Sequence, residues 1–467
     1  MASQKQPDLE TNRLIVFSMD RKSVLLLAGV TGFRLPSVEI PYSQRAAESL
    51  GAGVKSKWRC KAISLFAPDV SISGNGSIGN CYQVMECVIQ DEKQACDAAW
   101  TLIRSLTRDS FQEEADYQAL QRSLTDAGAH ETDPESPFVR CGWFSELRRW
   151  VTDAIKPLGL HIGESFCQFN ASPSFSLIRF ETNGPAVWFK AVGEPNQREF
   201  PITLKLSQLF PGYVAEILGT QPAWNGWLSC EADGTNLSET KEITKWIVVA
   251  EALARFQIES IPKIAPIAEA GAHDLRVDRL STLVHPFLDV IAQLMEQQTK
   301  VPPPILSPQD LCLLRIRIQD SLTLLDELRT PSTLGHLDLN PGNIIVSAGE
   351  CVFLDWAEAY VGHPFFSFEY LLEHFRHAVG QDAALESQLV ASYVAAWQRV
   401  LAGDVITEAL ALAPLLAVFS YAAGTDAWKD ERRLRDPKVA GYLRSLARRM
   451  NREAIQFSNR RSACLIS

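Results

Sequence analysis

Apolar and polar positions change rhythm three times along this chain. From about residue 12 to 125, short apolar runs (RLIVFSM, SVLLLAG, KAISLF, CYQVMECVI) alternate with turn-forming clusters such as SGNGSIGN, a pattern of short strands. This part closes on DEKQACDAAWTLIRSL, whose composition and spacing predict a helix. Residues 1–125 therefore read as a small α+β domain. Thr125 to Pro137, TDAGAHETDPESP, is polar and rich in breakers, so a linker is expected over 126–137. Strands resume near Phe166: SFSLIRFETNG and PAVWFKAV flank Asn183-Gly184, a two-residue hairpin signal, REFPITLKLSQLF reads as a helix, and EILGTQPAWNGWLSCEADG as two more short strands. Residues 138–238 thus predict a small antiparallel sheet carrying one helix. Beyond Thr240 the period becomes helical. In EITKWIVVAEALARFQ the apolar residues Ile243, Trp246, Ile247, Ala250 and Leu253 share a face, and DLCLLRIRIQDSLTLLDELR repeats the pattern, so 239–467 is expected to be a mostly helical unit.

The run from Ala409 to Gly424 is the longest apolar stretch. It is short for a bilayer span and contains Pro414, so a buried helix and no membrane association are expected. The chain has 467 residues and a formal net charge of -10, with no basic run, which argues against nucleic acid as partner. Ten cysteines are scattered without CxxC or Cys/His zinc spacing, which reads as reduced thiols in a reducing compartment. The N-terminus MASQKQPDLETNR has no apolar core of a secretory signal, so a cytoplasmic location is expected. Nothing in the composition fixes the oligomeric state.

The chemistry concentrates in LGHLDLNPGNIIVSAGECVFLDWAEAY, Leu334 to Tyr360, where the helical region is interrupted. Asp338 and Asn343 lie five residues apart on one loop that Pro341-Gly342 allows to turn. NIIV and CVFLD then predict a hairpin ending at Asp355. One carboxylate that takes a hydroxyl proton, with an amide oxygen and a second carboxylate for hard Mg2+ ions, is the donor set that phosphoryl transfer needs. His336 is expected to pack and hydrogen-bond the loop. His374 and His377 lie three apart on a helix but lack a third ligand at zinc spacing, and Trp428, Phe365 and Phe366 are expected in the core. Glu358, Glu369 and Glu373 are candidates for a pocket that takes a cationic substrate.

At these residues the sequence resembles the aminoglycoside phosphotransferase family, within the protein-kinase-like fold. The family's HGDLHPGN pattern stands here as HLDLNPGN, His336 to Asn343, followed by LDW, Leu354 to Trp356, and by GHPFFSFEYLL, similar to the family's next helix start. Upstream, Lys190 in VWFKAV is similar to the family's phosphate-binding lysine. Glu199 is similar to its helix partner, with Glu194 close by, and WLSCEADG is similar to the hinge that would take adenine through the backbone near Cys230 to Ala232. Leu337 stands where glycine is common and Asn340 where histidine is common, and the nucleotide loop NASPSF, Asn170 to Phe175, has no GxGxxG.

The resemblance spans about residues 165 to 450. It implies an α+β, two-lobed, kinase-like fold and an ATP- and Mg2+-dependent transfer of phosphate to a hydroxyl of a small molecule. In it Asp338 would be the base, Asn343 and Asp355 the metal ligands, and Lys190, Glu199, Cys230 and Ala232 the nucleotide site. Two alternatives are a kinase for another hydroxylated metabolite, such as an amino alcohol or sugar, and a silent nucleotide-binding pseudokinase acting as an interaction protein. The N-terminal stretch RKSVLLLAGVTGFRLPSVEIPYSQRAAESL resembles a nudix-like fold in outline; it has Arg45 and Glu48 but no glutamate pair, which implies a module without the hydrolase chemistry.

Overall fold

The computed structural model describes residues 9–41, 46–68, 81–90, 97–130 and 136–464. The chain divides into a strand-rich unit, residues 1–200 with 217–231, and a helical unit, residues 201–216 with 232–467. It is α+β, as expected.

The strand-rich unit contains β1 (Leu9–Phe17), β2 (Ser23–Ala28), β3 (Phe33–Arg34), β4 (Ser37–Pro41), α1 (Ala46–Trp58), β5 (Cys60–Phe66), β6 (Cys81–Gln90), β7 (Ala98–Leu102), α2 (Glu114–His130) and α3 (Trp143–Ile155). The seven strands form one sheet in the order β3-β2-β1-β6-β5, with β4 on β1 and β7 on β2; β1 and β6 run parallel. Side chains alternate across a strand, so this sheet feeds two cores. Leu14, Val16 and Leu25 pack with Leu50, Val54 and Trp58 of α1. Ile15, Phe17, Val24, Leu26 and Ile63 face the other way.

That second face meets α3 and the next sheet. After α3 come β8 (Ile162–Ala171), β9 (Ser176–Thr182), β10 (Val187–Ala191), α4 (Glu199–Leu209), β11 (Ile217–Gln221) and β12 (Gly226–Cys230). The strands form an antiparallel sheet in the order β11-β12-β10-β9-β8. Phe144, Leu147 and Val151 of α3 share one core with Ile178, Phe180, Phe189 and Leu228 of this sheet and with Ile15, Phe17, Val24, Leu26 and Ile63 of the first. Polar locks reinforce it. Asp116 of α2, fully buried, accepts from Arg13 Nη1 (2.6 Å), the Leu35 N–H (3.0 Å) and Tyr82 Oη (3.2 Å). Glu86 of β6 accepts from the Gly142 N–H at 2.9 Å.

Four expectations change here. Residues 1–125 are not a separate domain, because their sheet shares its core with α3 and the second sheet. The linker is not one over Asp126–His130, which complete α2 as a polar helix end, while Glu131–Glu135 lie outside the described residues; Phe138 and Val139, just beyond, are buried. The helix read into DEKQACDAAWTLIRSL is instead β7: Ala98 to Leu102 pair with Ser23 to Leu27, so a distant partner strand overrides local propensity. Asp91–Cys96 of that stretch lie outside the described residues, as do Tyr42–Arg45 of the nudix-like stretch and the cluster Ser73–Asn80. The β9–β10 connection is longer than two residues, because Asn183 Oδ1 is taken by the His161 N–H at 2.7 Å and Thr182 Oγ1 by the Gly184 N–H at 2.9 Å.

The helical unit contains β13 (Thr235–Asn236), α5 (Ile243–Ser260), α6 (Ile264–Glu269), β14 (His273–Leu275), α7 (Val277–Glu296), α8 (Pro308–Glu327), β15 (Thr333–His336), β16 (Ile344–Val346), β17 (Cys351–Phe353), β18 (Ala359–Gly362), α9 (Pro364–Ala378), α10 (Ala383–Trp397), α11 (Gly403–Gly424), α12 (Glu431–Leu434) and α13 (Pro437–Cys464). Two three-stranded sheets, β13-β16-β17 and β14-β18-β15, interrupt the helices where the motif lies. Among the described residues α11 is the one helix long and apolar enough to cross a membrane, yet 61% of its most apolar window is buried inside the unit, against α7, α8, α9 and α13. Phe365, Phe366 and Trp428 lie in the same core. The described cysteines form no disulfide.

Candidate active site

The loop after β15 is built from the backbone outward. Gly335 on β15 lies opposite Tyr360 of β18, and a Cβ at 335 would meet the Tyr360 ring at 2.0 Å. Glycine lets the two strands close, and the next residue, His336, is buried. Its Nδ1 accepts the Asp338 N–H at 3.1 Å, which leaves Nε2–H to donate to the Leu354 carbonyl at 3.0 Å. His336 thereby joins the loop that carries Asp338 to the segment that carries Asp355. This is the structural role expected of it, and the Trp356 ring at 4.8 Å packs against the imidazole.

Asp338 is held by amides. Asn340 Nδ2 donates to Oδ1 at 3.0 Å, and Asn343 Nδ2 donates to the Asp338 carbonyl at 3.1 Å and to Oδ2 at 3.3 Å. With its nitrogen so engaged, Asn343 has Oδ1 left for a cation. Asn340, at the position where the sequence departs from the resembled pattern, also accepts the Gly342 N–H at 2.9 Å, and Asn236 Nδ2 donates to the Gly342 carbonyl at 2.8 Å. The Leu354 N–H donates to the Asn343 carbonyl at 2.8 Å, which sets Asp355 beside Asn343. Asp355 has φ +63°, a left-handed conformation that costs a non-glycine residue roughly 1–2 kcal/mol and re-aims its carboxylate as the chain leaves the hairpin. Asp338, Asn343 and Asp355 are thus gathered on one hairpin, as the spacing implies.

The donors fit a hard cation. Among the described residues no three His, Cys, Asp or Glu side chains are gathered as a group that could hold a metal. One carboxylate and one amide oxygen match the habit of Mg2+, which keeps several waters and binds nucleotide phosphates as well.

In the strand-rich unit, Lys190 of β10 lies between Leu177 of β9 and Trp227 of β12, and its Nζ is 2.5 Å from Glu199 Oε1 at the start of α4. Glu199 is 1% exposed. Of the two glutamates near the lysine, the structure pairs Glu199. The lysine stands 6.0 Å from the Phe175 ring and 5.8 Å from the Trp227 ring. Cys230 ends β12. Glu231 accepts two bonds from Arg179 (2.6 and 2.8 Å) and one from Trp188 Nε1 (3.1 Å), and the hydrogen bonds from Arg179 hold its carboxyl below the usual range. The strand leading to Ala232 is therefore tied to the sheet by a side chain. An acidic residue directly after an apolar strand was the available signal; its arginine lies on β9, two strands away in the sheet.

The acidic pocket loses two of its three members. Glu369 is buried on Arg376 (3.0 Å) and Glu373 is paired with Arg449 (2.6 Å), so neither supplies a free charge; Glu358 stands 3.6 Å from His273 Nε2. Burial and the hydrogen bond with the Tyr442 hydroxyl raise the Tyr421 phenol, and the charges of Asp338 and Glu358 add to it. Burial likewise lowers the His374 imidazole, against the pull of Glu373 and Asp338.

Residues 249–403 match the model of a family described as "Phosphotransferase enzyme family". The match lies within the helical unit and includes the stretch from His336 to Trp356. The chain is accordingly a phosphotransferase with an alcohol group as acceptor. No curated protein matches it significantly. Among solved structures, a choline kinase from Cryptosporidium parvum aligns at 11% identity over 69% of this chain and 96% of its own, with a TM-score of 0.46. A macrolide 2'-phosphotransferase from Brachybacterium faecium aligns at 16% over 64% and 98%, TM-score 0.42, and a Plasmodium vivax ethanolamine kinase at 14% over 66% and 88%, TM-score 0.43.

Proposed function

We propose that this phosphotransferase moves the γ-phosphoryl group of ATP to a hydroxyl of a small molecule. The observation that carries the reading is the bonding of the loop: Asn343 gives its amide nitrogen to Asp338 and keeps its oxygen, while the Leu354 N–H brings Asp355 beside it. In this mechanism Asp338 orients the acceptor hydroxyl and takes its proton as the new P–O bond forms. Asn343 Oδ1 and Asp355 hold Mg2+, which when bound offsets the charge of the phosphates. Lys190, set by Glu199, engages the nucleotide phosphates, and the backbone from Cys230 to Ala232 takes the adenine. The silent pseudokinase is disfavoured because base, metal ligands and lysine are all present with their partners.

With Glu369 and Glu373 neutralised, the acceptor class is open between antibiotic, amino alcohol and sugar. Calorimetry with ATP, with and without Mg2+, tests the reading. Metal-dependent binding is expected, and no binding under either condition would sink it. A panel of hydroxylated metabolites and antibiotics, followed by phosphate transfer, then identifies the acceptor.

A further inference from the structure

The N-terminal sheet meets the second sheet through polar contacts that apolar packing does not require: at the half-exposed rim Lys61 Nζ donates to the Glu164 carbonyl at 3.1 Å, and the buried contact is made by Gln168. Gln168 lies on β8, next to a break in the β8–β9 register between Gln168 and Asn170. Such a bulge turns a side chain off its regular course. Gln168 is 5% exposed, and its amide reads the backbone of β5 like another strand: Oε1 accepts the Ser64 N–H at 2.8 Å and Nε2 donates to the Ser64 carbonyl at 3.1 Å. Replacing it by an apolar residue would leave two buried backbone groups without partners.

What Gln168 restrains lies four residues on. Ser172 to Phe175 form the turn between β8 and β9, closed by the Ser172 N–H on the Phe175 carbonyl and the Phe175 N–H on Ser172 Oγ, both at 3.0 Å. From behind, the Phe138 N–H donates to the Pro173 carbonyl at 3.3 Å. A cavity of about 560 Å³ lined by Phe66, Gln83, Arg122, Val139, Ser172 and Pro173 separates the rest of the turn from the N-terminal sheet. On its other side the turn approaches the end of β10: a Cβ at Gly193 would meet Ser174 Cβ at 2.3 Å, and Phe175 stands beside Lys190. One course therefore runs from Ser64 through Gln168 and the turn to the lysine.

We propose that Gln168 is a positioning residue for nucleotide binding, through which the N-terminal sheet sets the height of the Ser172–Phe175 turn over the phosphates. This rests on the reading of that turn as the nucleotide loop of an ATP-dependent enzyme. The N-terminal segment is then a brace of the ATP site.

The test uses the full chain and measures KM for ATP, KM for the acceptor, kcat and melting temperature. Gln168→Leu should raise KM for ATP about tenfold while kcat and the acceptor KM stay within about twofold. Gln168→Glu, which keeps the acceptor for the Ser64 N–H, should recover part of the loss; if the leucine variant does not fold, the glutamate variant is judged alone on a rise in KM for ATP. Leu25→Ala, a truncation in the core on the far face of the same sheet, should lower the melting temperature and leave KM for ATP unchanged. A Gln168 variant that melts lower but keeps the wild-type KM for ATP overturns the proposal, as does an equal rise in Leu25→Ala. Failure of the wild-type protein to bind ATP with Mg2+ is a different result, which removes the functional reading and the brace with it.

Discussion

At the scale of the residue, His336 carries the candidate site's geometry, and Asp338 the chemistry proposed for it. The imidazole accepts from the segment of Asp338 and donates to the segment of Asp355, so a single buried, neutral ring spaces the proposed base from the proposed metal ligands. Asp338→Asn should leave fold and Mg2+-dependent ATP binding intact and lower turnover of the identified acceptor by about 10² to 10⁴, the usual worth of a positioned base. Steady-state kinetics beside calorimetry checks both halves; unchanged turnover would move the base elsewhere, with Glu358 next in line. Lys190 and Glu199 obey a different rule. Their pair is nearly dry, so removing one partner strands a buried charge, and a loss of ATP affinity in such a variant would mix stability with binding.

At the scale of the element, α9 starts on a histidine that titrates out of its normal range. His363 Nδ1 accepts the Phe365 N–H at 3.3 Å as the helix cap, Pro364 follows at the first helical position, and Nε2 is buried with no hydrogen-bond partner among the described residues. Burial pushes the imidazole down to about 3. In the unfolded chain the same group takes up its proton near 6.5, so between about 6.5 and 3 the unfolded state binds more protons and stability falls as the pH drops. From pH 7.5 to 5.5 the loss from this residue is about 1.4 kcal/mol. His363→Asn keeps a cap acceptor and removes the titration. Urea unfolding at those two pH values should show a variant less sensitive to acid by about that amount, and identical pH slopes would show that His363 is not neutral in the fold.

At the scale of the whole molecule, the strand-rich unit is the part that composition misjudged. Its first sheet and α3 share a core, so a fragment beginning near Phe138 exposes Phe144, Leu147, Val151 and their neighbours. At roughly 1.5–3 kcal/mol per large side chain, a few of these equal the whole stability of a domain, about 5–15 kcal/mol. Such a fragment should aggregate or lack a cooperative melt, whereas calorimetry showing a normal transition would restore the idea of a detachable module. The catalytic stretch was legible because its chemistry is local: turn, hairpin and ligand residues lie within about twenty positions, and Pro341-Gly342 and Asp338–Asn343 act on their own neighbourhood. The long helices were legible for the same reason, since α5 and α8 repeat their apolar faces within a few turns. Ala98–Leu102 became a strand only because β2, far away in sequence, offers an open edge. Asp116, Gln168 and Glu231 carry no local sign of their partners Arg13, Ser64 and Arg179, which folding sets beside them, and Glu369 and Glu373 lost their availability to Arg376 and Arg449 in the same way. The sequence by itself determined which atoms the proposed phosphoryl transfer would use, because residue type and short spacing specify local turns and donor chemistry. Only the tertiary structure decided what braces those atoms and which charges remain available, because burial and ion pairing depend on partners that come near only when the chain packs.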